Sequence, residues 1–292
     1  MHPRLLHALV LLDPVIQKPK TQLEDPKEVF DHKLLISTAT RLSAHRRDQW
    51  SSRQEAAESL SKSPFYQAWD KRVLARWIEY GLRDLPTPSY RLEKKPDPAK
   101  GLPVTLTTTT QQEVATFARP TTYNHATGSA NSMNPTTHPD LDPALITSFP
   151  FYRPEPSIVF EQLPRLRASV LYIFGGKSHM CNHLLRMEKL RHTGIGIGGS
   201  GGTMAGRVKE VLFAEYGHLI AQEAVDQCAE AAVEWLGSER EHWEAEKLGS
   251  RAFSNGKSRV EETKVDGELR KAIPPIKRDG SGSGDRNSAP KL

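Results

Sequence analysis

The sequence predicts an α/β protein built on a parallel sheet, from three short apolar runs and a helical stripe that follows the last of them. The runs are Ala8 to Leu12, Ser169 to Phe174 and, more weakly, Val208 to Phe213. Continuous apolar runs of this length read as strands covered on both faces, which is how parallel sheets are built. From Gln222 to Leu236, Val225, Cys228, Ala232 and Trp235 recur at helical spacing and form one apolar stripe. Strand, loop and amphipathic helix in that order is the ending of a doubly wound sheet.

The first run stops at Asp13-Pro14, and about 150 residues separate it from the second, too many for a simple crossover. They are expected to form an inserted cap, largely helical. Ser52-Arg53-Gln54-Glu55 has the capping-box pattern and opens a helix through Leu60. Asp70 caps a second helix, in which Val73, Leu74, Trp77 and Ile78 share a face. Val104 to Thr110 reads as extended, and Thr121 to Pro143, rich in Thr, Asn, Ser and Pro, as a long loop. From Gly237 onward charges dominate, so a fraying helix near Glu239 to Lys247 should give way to disorder. The expected organisation is core at 1–30, helical cap at 31–150, core again at 151–236 and a charged flexible tail at 237–292.

Composition excludes several function classes. Forty basic against 35 acidic residues leave a charge of +5 spread over a mixed surface, without the clustered cations and stacking aromatics that nucleic-acid binding needs. Two cysteines, Cys181 and Cys228, make neither a disulfide framework nor a cysteine zinc site. No segment reaches the roughly 18 consecutive apolar residues of a membrane span, and the start of the sequence lacks the cleavage site of a secretory signal. An intracellular protein with no metal is expected.

Tyr216-Gly217-His218-Leu219 follows the third strand and precedes the final helix. That position lies at the C-terminal edge of the sheet, where open α/β sheets bind ligands, and an imidazole held there can take a proton from a nucleophile on a neighbouring strand. A capping or surface histidine is the bland alternative. The loop after Val170 to Phe174 is where an acid could orient the imidazole, but the position facing it is read as His179, which cannot serve as an anion. Asp13, at the end of the first strand, is the other candidate; it either orients His218 or simply starts a turn with Pro14. Gly194 to Gly199 satisfies G-x-G-x-x-G, and Gly198 to Gly202 satisfies G-x-S-x-G around Ser200. Both motifs need a strand before and a helix after, and here the order is reversed, so the stretch reads as a flexible connection. Phe65, Tyr66, Trp69 and Trp77 in the insertion either roof an apolar pocket or, more simply, hold small helices together.

Several segments taken in order resemble a known family. They are His2 to Ile16, Arg46 to Trp50 with Ser52 to Ala56, Ser63 to Asp70, and the loops Gly175-Gly176-Lys177-Ser178 and Gly217-His218-Leu219. Together they are similar to the C-terminal portion of the α/β-hydrolase superfamily, in particular the fungal hydrolases of AK-toxin biosynthesis, over about residues 2–236. The resemblance implies a partial α/β-hydrolase fold and a Ser-Asp/Glu-His hydrolase. It further implies action on an ester or thioester of a fatty-acid-derived metabolite in toxin or secondary metabolism, without metal or redox cofactor. His218 carries over as the catalytic histidine and Asp13 as the candidate acid. The family's G-x-S-x-G serine belongs just ahead of the segment that begins here, so this sequence is expected to be truncated and inert alone, with a hydrophobic sheet edge and one face uncovered. A non-catalytic binding or interaction protein derived from a hydrolase is the alternative. The terminal Ala289-Pro290-Lys291-Leu292 resembles the S-K-L address read by the peroxisomal import receptor. The resembling hydrolases are peroxisomal, so that compartment is expected, with the cytoplasm as alternative.

Overall fold

The computed structural model describes residues 5–18, 39–92, 101–117, 119–120, 151–180, 182–254, 258, 260, 263–265 and 267–273. The Thr121 to Pro143 loop, Cys181 and the terminal tripeptide lie outside them. The chain divides into two compact units, Met1–Glu239 and Arg240–Leu292.

In the first unit, β1 (Ala8–Leu12) is followed by an insertion holding β2 (Gln49–Trp50), α1 (Arg53–Ser61), α2 (Pro64–Gln67), α3 (Lys71–Tyr80), β3 (Leu82–Asp84), β4 (Val104–Leu106), α4 (Thr110–Phe117) and β5 (Arg119–Pro120). Then come β6 (Phe151–Tyr152), α5 (Glu155–Gln162), β7 (Ser169–Gly175), α6 (His183–His192), β8 (Val208–Phe213), α7 (Ile220–Glu223) and the start of α8 (Val225–Ser254). The main sheet is parallel in the order β1-β7-β8, with Val10 opposite Leu171 and Val170 opposite Val208.

Every residue of β7 is buried, because strand periodicity sends alternate side chains to two covered faces. Val170, Tyr172 and Phe174 pack with Leu190 of α6 on one side, and the Tyr172 and Phe174 rings stack with centroids 5.6 Å apart. Leu171 and Ile173 meet Ile220, Ala224, Cys228 and Trp235 on the other. Each fully buried side chain of this kind stabilises the fold by roughly 1.5–3 kcal/mol. The expected uncovered face is therefore corrected at the central strand. Exposure is confined to the flanking strands, where Leu12 and Leu212 reach solvent.

The N-terminal ends of the three strands are tied by one carboxylate. Glu239 is 2% exposed. It accepts from Ser169 Oγ at 2.6 Å and from an Arg207 guanidinium nitrogen at 3.0 Å, and His7 Nε2 lies 3.5 Å away. Removing one member of such a buried pair strands the other's charge. Glu239→Ala is expected to destabilise the protein by about 3–5 kcal/mol, read as a lower denaturant midpoint. Glu239→Gln, which still accepts from Ser169, should lose less. A loss under about 1 kcal/mol for the alanine variant would contradict this account.

The insertion has its own core of Trp50, Ala56, Leu60, Tyr66, Leu82, Val104 and Leu106. It is less purely helical than the sequence suggests, because β2, β4 and β3 form an antiparallel sheet. The expected extended run is β4 alone, and α4 starts at Thr110. Ser52 caps α1 by accepting from the Glu55 amide at 3.1 Å, but Glu55 reaches back to Ser51 rather than Ser52. Asp70 caps α3, accepting from the Arg72 amide at 2.8 Å.

In the second unit the helix runs unbroken to Ser254, beyond the expected fraying point, and α9 (Gly267–Ala272) adds another turn and a half. Pairs four residues apart lie along the extension: Arg240 is 3.9 Å from Glu244, and the Lys247 ammonium sits 4.5 Å over the Trp243 ring.

Candidate active site

Because the strands are parallel, the C-terminal ends of β1, β7 and β8 lie at one edge. Asp13 is the first residue past β1. Its amide extends the ladder by donating to the Ile173 carbonyl at 2.8 Å. Its φ of 43° lies in the left-handed region, which aspartate tolerates better than most side chains. Such strain collects at functional sites. The carboxylate is fully buried.

Two glycines end β7, and a side chain would fit at neither. A Cβ on Gly175 would lie 2.0 Å from the Gly217 carbonyl oxygen, and one on Gly176 would lie 2.6 Å from Ala214 Cα. Their bareness lets the loop after β8 cross the strand end, where the Lys177 amide donates to the Tyr216 carbonyl at 2.9 Å. Glu223 of α7 holds that loop from the other side, accepting from the Gly217 amide at 2.7 Å.

The loop delivers His218 onto Asp13. Nδ1 lies 2.7 Å from Asp13 Oδ2. An ionised carboxylate only accepts, so Nδ1 donates in this contact, and whenever the ring is neutral Nε2 is the nitrogen with the free lone pair. The imidazole is 31% exposed while its partner is 0% exposed. The charge is thus hidden behind a base that can be reached. This is the arrangement by which a buried acid fixes the tautomer of a general base and stabilises the imidazolium that forms.

Ser178 also reaches the acid. Its Oγ is 2.5 Å from the same Oδ2 and accepts from the Met180 amide at 3.2 Å. The hydroxyl facing Asp13 is therefore Ser178, while His179, the position singled out from the sequence, stands beside His218 with ring centroids 6.3 Å apart. Burial, and then the positive charge of His218, hold the His179 pKa below its ordinary value, against the opposing pull of Asp13. Ser178 is not placed as a nucleophile, since its proton goes to the acid rather than to the base. Sequence reasoning passed over it; the available signal was a hydroxyl three residues past the strand-ending Gly175.

Ser200 is on the opposite edge, between α6 and the start of β8. Its surroundings are not the flexible connection expected. The amides of Gly196, Ser200 and Gly201 donate to the carbonyls of Pro164, Leu166 and Gly194 at 2.8, 3.0 and 2.8 Å. Among the described residues, no hydroxyl or thiol is hydrogen-bonded to Nε2 of His218. The insertion meets the site through α3: the Asp70 amide donates to the Gln222 carbonyl at 2.8 Å, and Arg72 bridges Asp70 and Asp226. Tyr66, Trp69 and Trp77 belong to the insertion's core cluster, and Phe65 at its rim is exposed.

No family model matches the chain. It is 33% identical over 300 residues to the type I acyl-CoA thioesterase mpaH' of Penicillium brevicompactum, covering 100% of this chain and 65% of that protein. It is 34% identical over 267 residues to the type I acyl-CoA thioesterase mpaH of the same organism, covering 88% of this chain and 59% of that one. To the abhydrolase domain-containing protein AKT2 of Alternaria alternata it is 23% identical over 237 residues, covering 81% and 76%. The chain thus spans about 60% of the length of the thioesterases it matches.

Proposed function

We propose, from the premise that this chain belongs to the α/β-hydrolase superfamily and to its fungal branch of AK-toxin-type hydrolases, that it carries the acid-base half of an acyl-thioester hydrolase site. The observation that carries the reading is the 2.7 Å contact of His218 Nδ1 with the buried Asp13. In the proposed reaction Nε2 of His218 takes the proton of a serine hydroxyl as that oxygen attacks the thioester carbonyl. The thiolate leaves with the proton returned by the imidazolium, and water repeats the sequence on the acyl-serine. That serine is not among the residues described near His218. The likeness to acyl-CoA thioesterases supports an acyl-CoA as substrate; a fatty-acid-derived acyl group in secondary metabolism is what the resemblance to the toxin-type hydrolases adds to the proposal.

The test follows free thiol as acyl-CoAs of several chain lengths are mixed with the protein as its own gene encodes it, and with residues 1–292 alone. Release of CoA by the first and none by the second is expected. Release by neither would sink the hydrolase reading and favour a binding protein derived from one. Release by both would mean that these residues already hold a nucleophile. Peroxisomal import belongs to the same reading and is tested separately. A fluorescent protein carrying residues 280–292 should become punctate and lose that pattern without the last three; a diffuse signal from the intact tail would leave the cytoplasm.

A further inference from the structure

We propose that Ser178 is a positioning residue for His218, holding the Asp13 carboxylate and sharing its charge with the imidazole's own hydrogen bond. The inference rests on the hydrolase reading for its kinetic consequence, but its geometry stands apart from any nucleophile. Ser178 Oγ accepts the Met180 amide, so its single proton is directed to Asp13 Oδ2, 2.5 Å away. His218 Nδ1 donates to that same oxygen at 2.7 Å. Asp13 Oδ1 is buried with no hydrogen-bond partner among the described residues. The whole anchoring of the carboxylate therefore falls on one oxygen with two donors, and Ser178, itself 8% exposed, is the donor that never changes protonation state.

The direction of the effect follows. A hydrogen bond to a carboxylate spreads its negative charge, and what goes to Ser178 is withheld from the imidazolium. Removing the hydroxyl leaves His218 as sole donor, strengthens that bond in the protonated state and raises the histidine's pKa. A raised pKa means the base is released only at higher pH. The other ionisable groups on the elements meeting here are His179 in the same loop, Glu223 of α7 bound to the Gly217 amide, and the exposed Lys177–Glu215 pair. Of these, His179 is a second imidazole, its pKa held below the ordinary value by burial, so the two rings must be resolved.

The experiment is an NMR titration of the His218 ring in residues 1–292, which needs no catalysis, paired with pH profiles of CoA release by the protein as its own gene encodes it. Ser178→Ala should move the His218 pKa, and with it the acid limb of kcat/KM, upward by about half a unit to one unit. Turnover should fall roughly 3–10-fold below that limb and recover above it. Asp13→Asn should move the His218 pKa the opposite way, and Ser178→Thr should restore the parent value. An unchanged or lowered pKa in Ser178→Ala, with the thermal midpoint kept, would overturn the proposal. A shifted ring pKa in a protein that releases no CoA would instead sink the hydrolase reading and leave the tuning intact.

Discussion

On the proposed mechanism, His218→Ala in the protein as its own gene encodes it is expected to lower acyl-CoA turnover by about 10²–10⁴-fold, the range that a positioned general base contributes. The loss should fall on kcat and kcat/KM alike, because Nε2 acts on the nucleophile's proton only as the transition state forms. Substrate affinity should change little. The histidine is partly exposed and its loop is held by backbone contacts, the Glu223 carboxylate on the Gly217 amide and Lys177 on Tyr216. The variant should therefore fold, and circular dichroism can check it. Turnover within threefold of the parent would remove His218 from the mechanism.

Asp13→Asn should be comparably damaging, with a loss of about 10³–10⁴-fold, since an acid replaced by its amide leaves the geometry but favours the wrong imidazole tautomer. Asparagine suits the position: it matches aspartate in shape and tolerates the left-handed backbone that Asp13 adopts at φ 43°. Asp13→Ala would add backbone strain and leave the Ser178 hydroxyl and His218 Nδ1 without their common acceptor. Comparing stability and kcat/KM of the two variants separates chemistry from folding. Full activity in the folded asparagine variant would leave Asp13 as a turn residue, the other reading its Asp-Pro sequence allows.

Two core strands, β1 and β7, were legible as continuous apolar runs; β8, interrupted by Lys209 and Glu210, gave a weaker signal, yet β1 and β8 begin and end where expected. The histidine was legible from order alone, being the loop residue between the last strand and the last helix. The acid was not. Asp13-Pro14 is also a common turn signal, and only the parallel register that sets Leu12 beside Ile173 shows which way the chain delivers the carboxylate. Ser178 was hidden for a related reason: a hydroxyl has no sequence signature until its acceptor is placed. The sheet of the insertion escaped notice because two- and three-residue strands are too short to show alternation. The glycines of 194–206 suggested looseness, whereas their backbone amides are spent on Leu163, Pro164 and neighbouring carbonyls.

Beside the Arg72–Asp226 ion pair, one link between the insertion and α7 runs from the Asp70 amide to the Gln222 carbonyl, main chain to main chain. Such a link carries no side-chain requirement, so drift at either position leaves it in place unless proline arrives at 70. Gln222 stands four residues from His218, which makes this one amide a timer for the site: its exchange with deuterium records how often the insertion lifts from the residues beside the histidine. A substrate analogue lodged beneath the insertion should slow that exchange, while one that stays at the rim should leave it running at the rate of the empty protein.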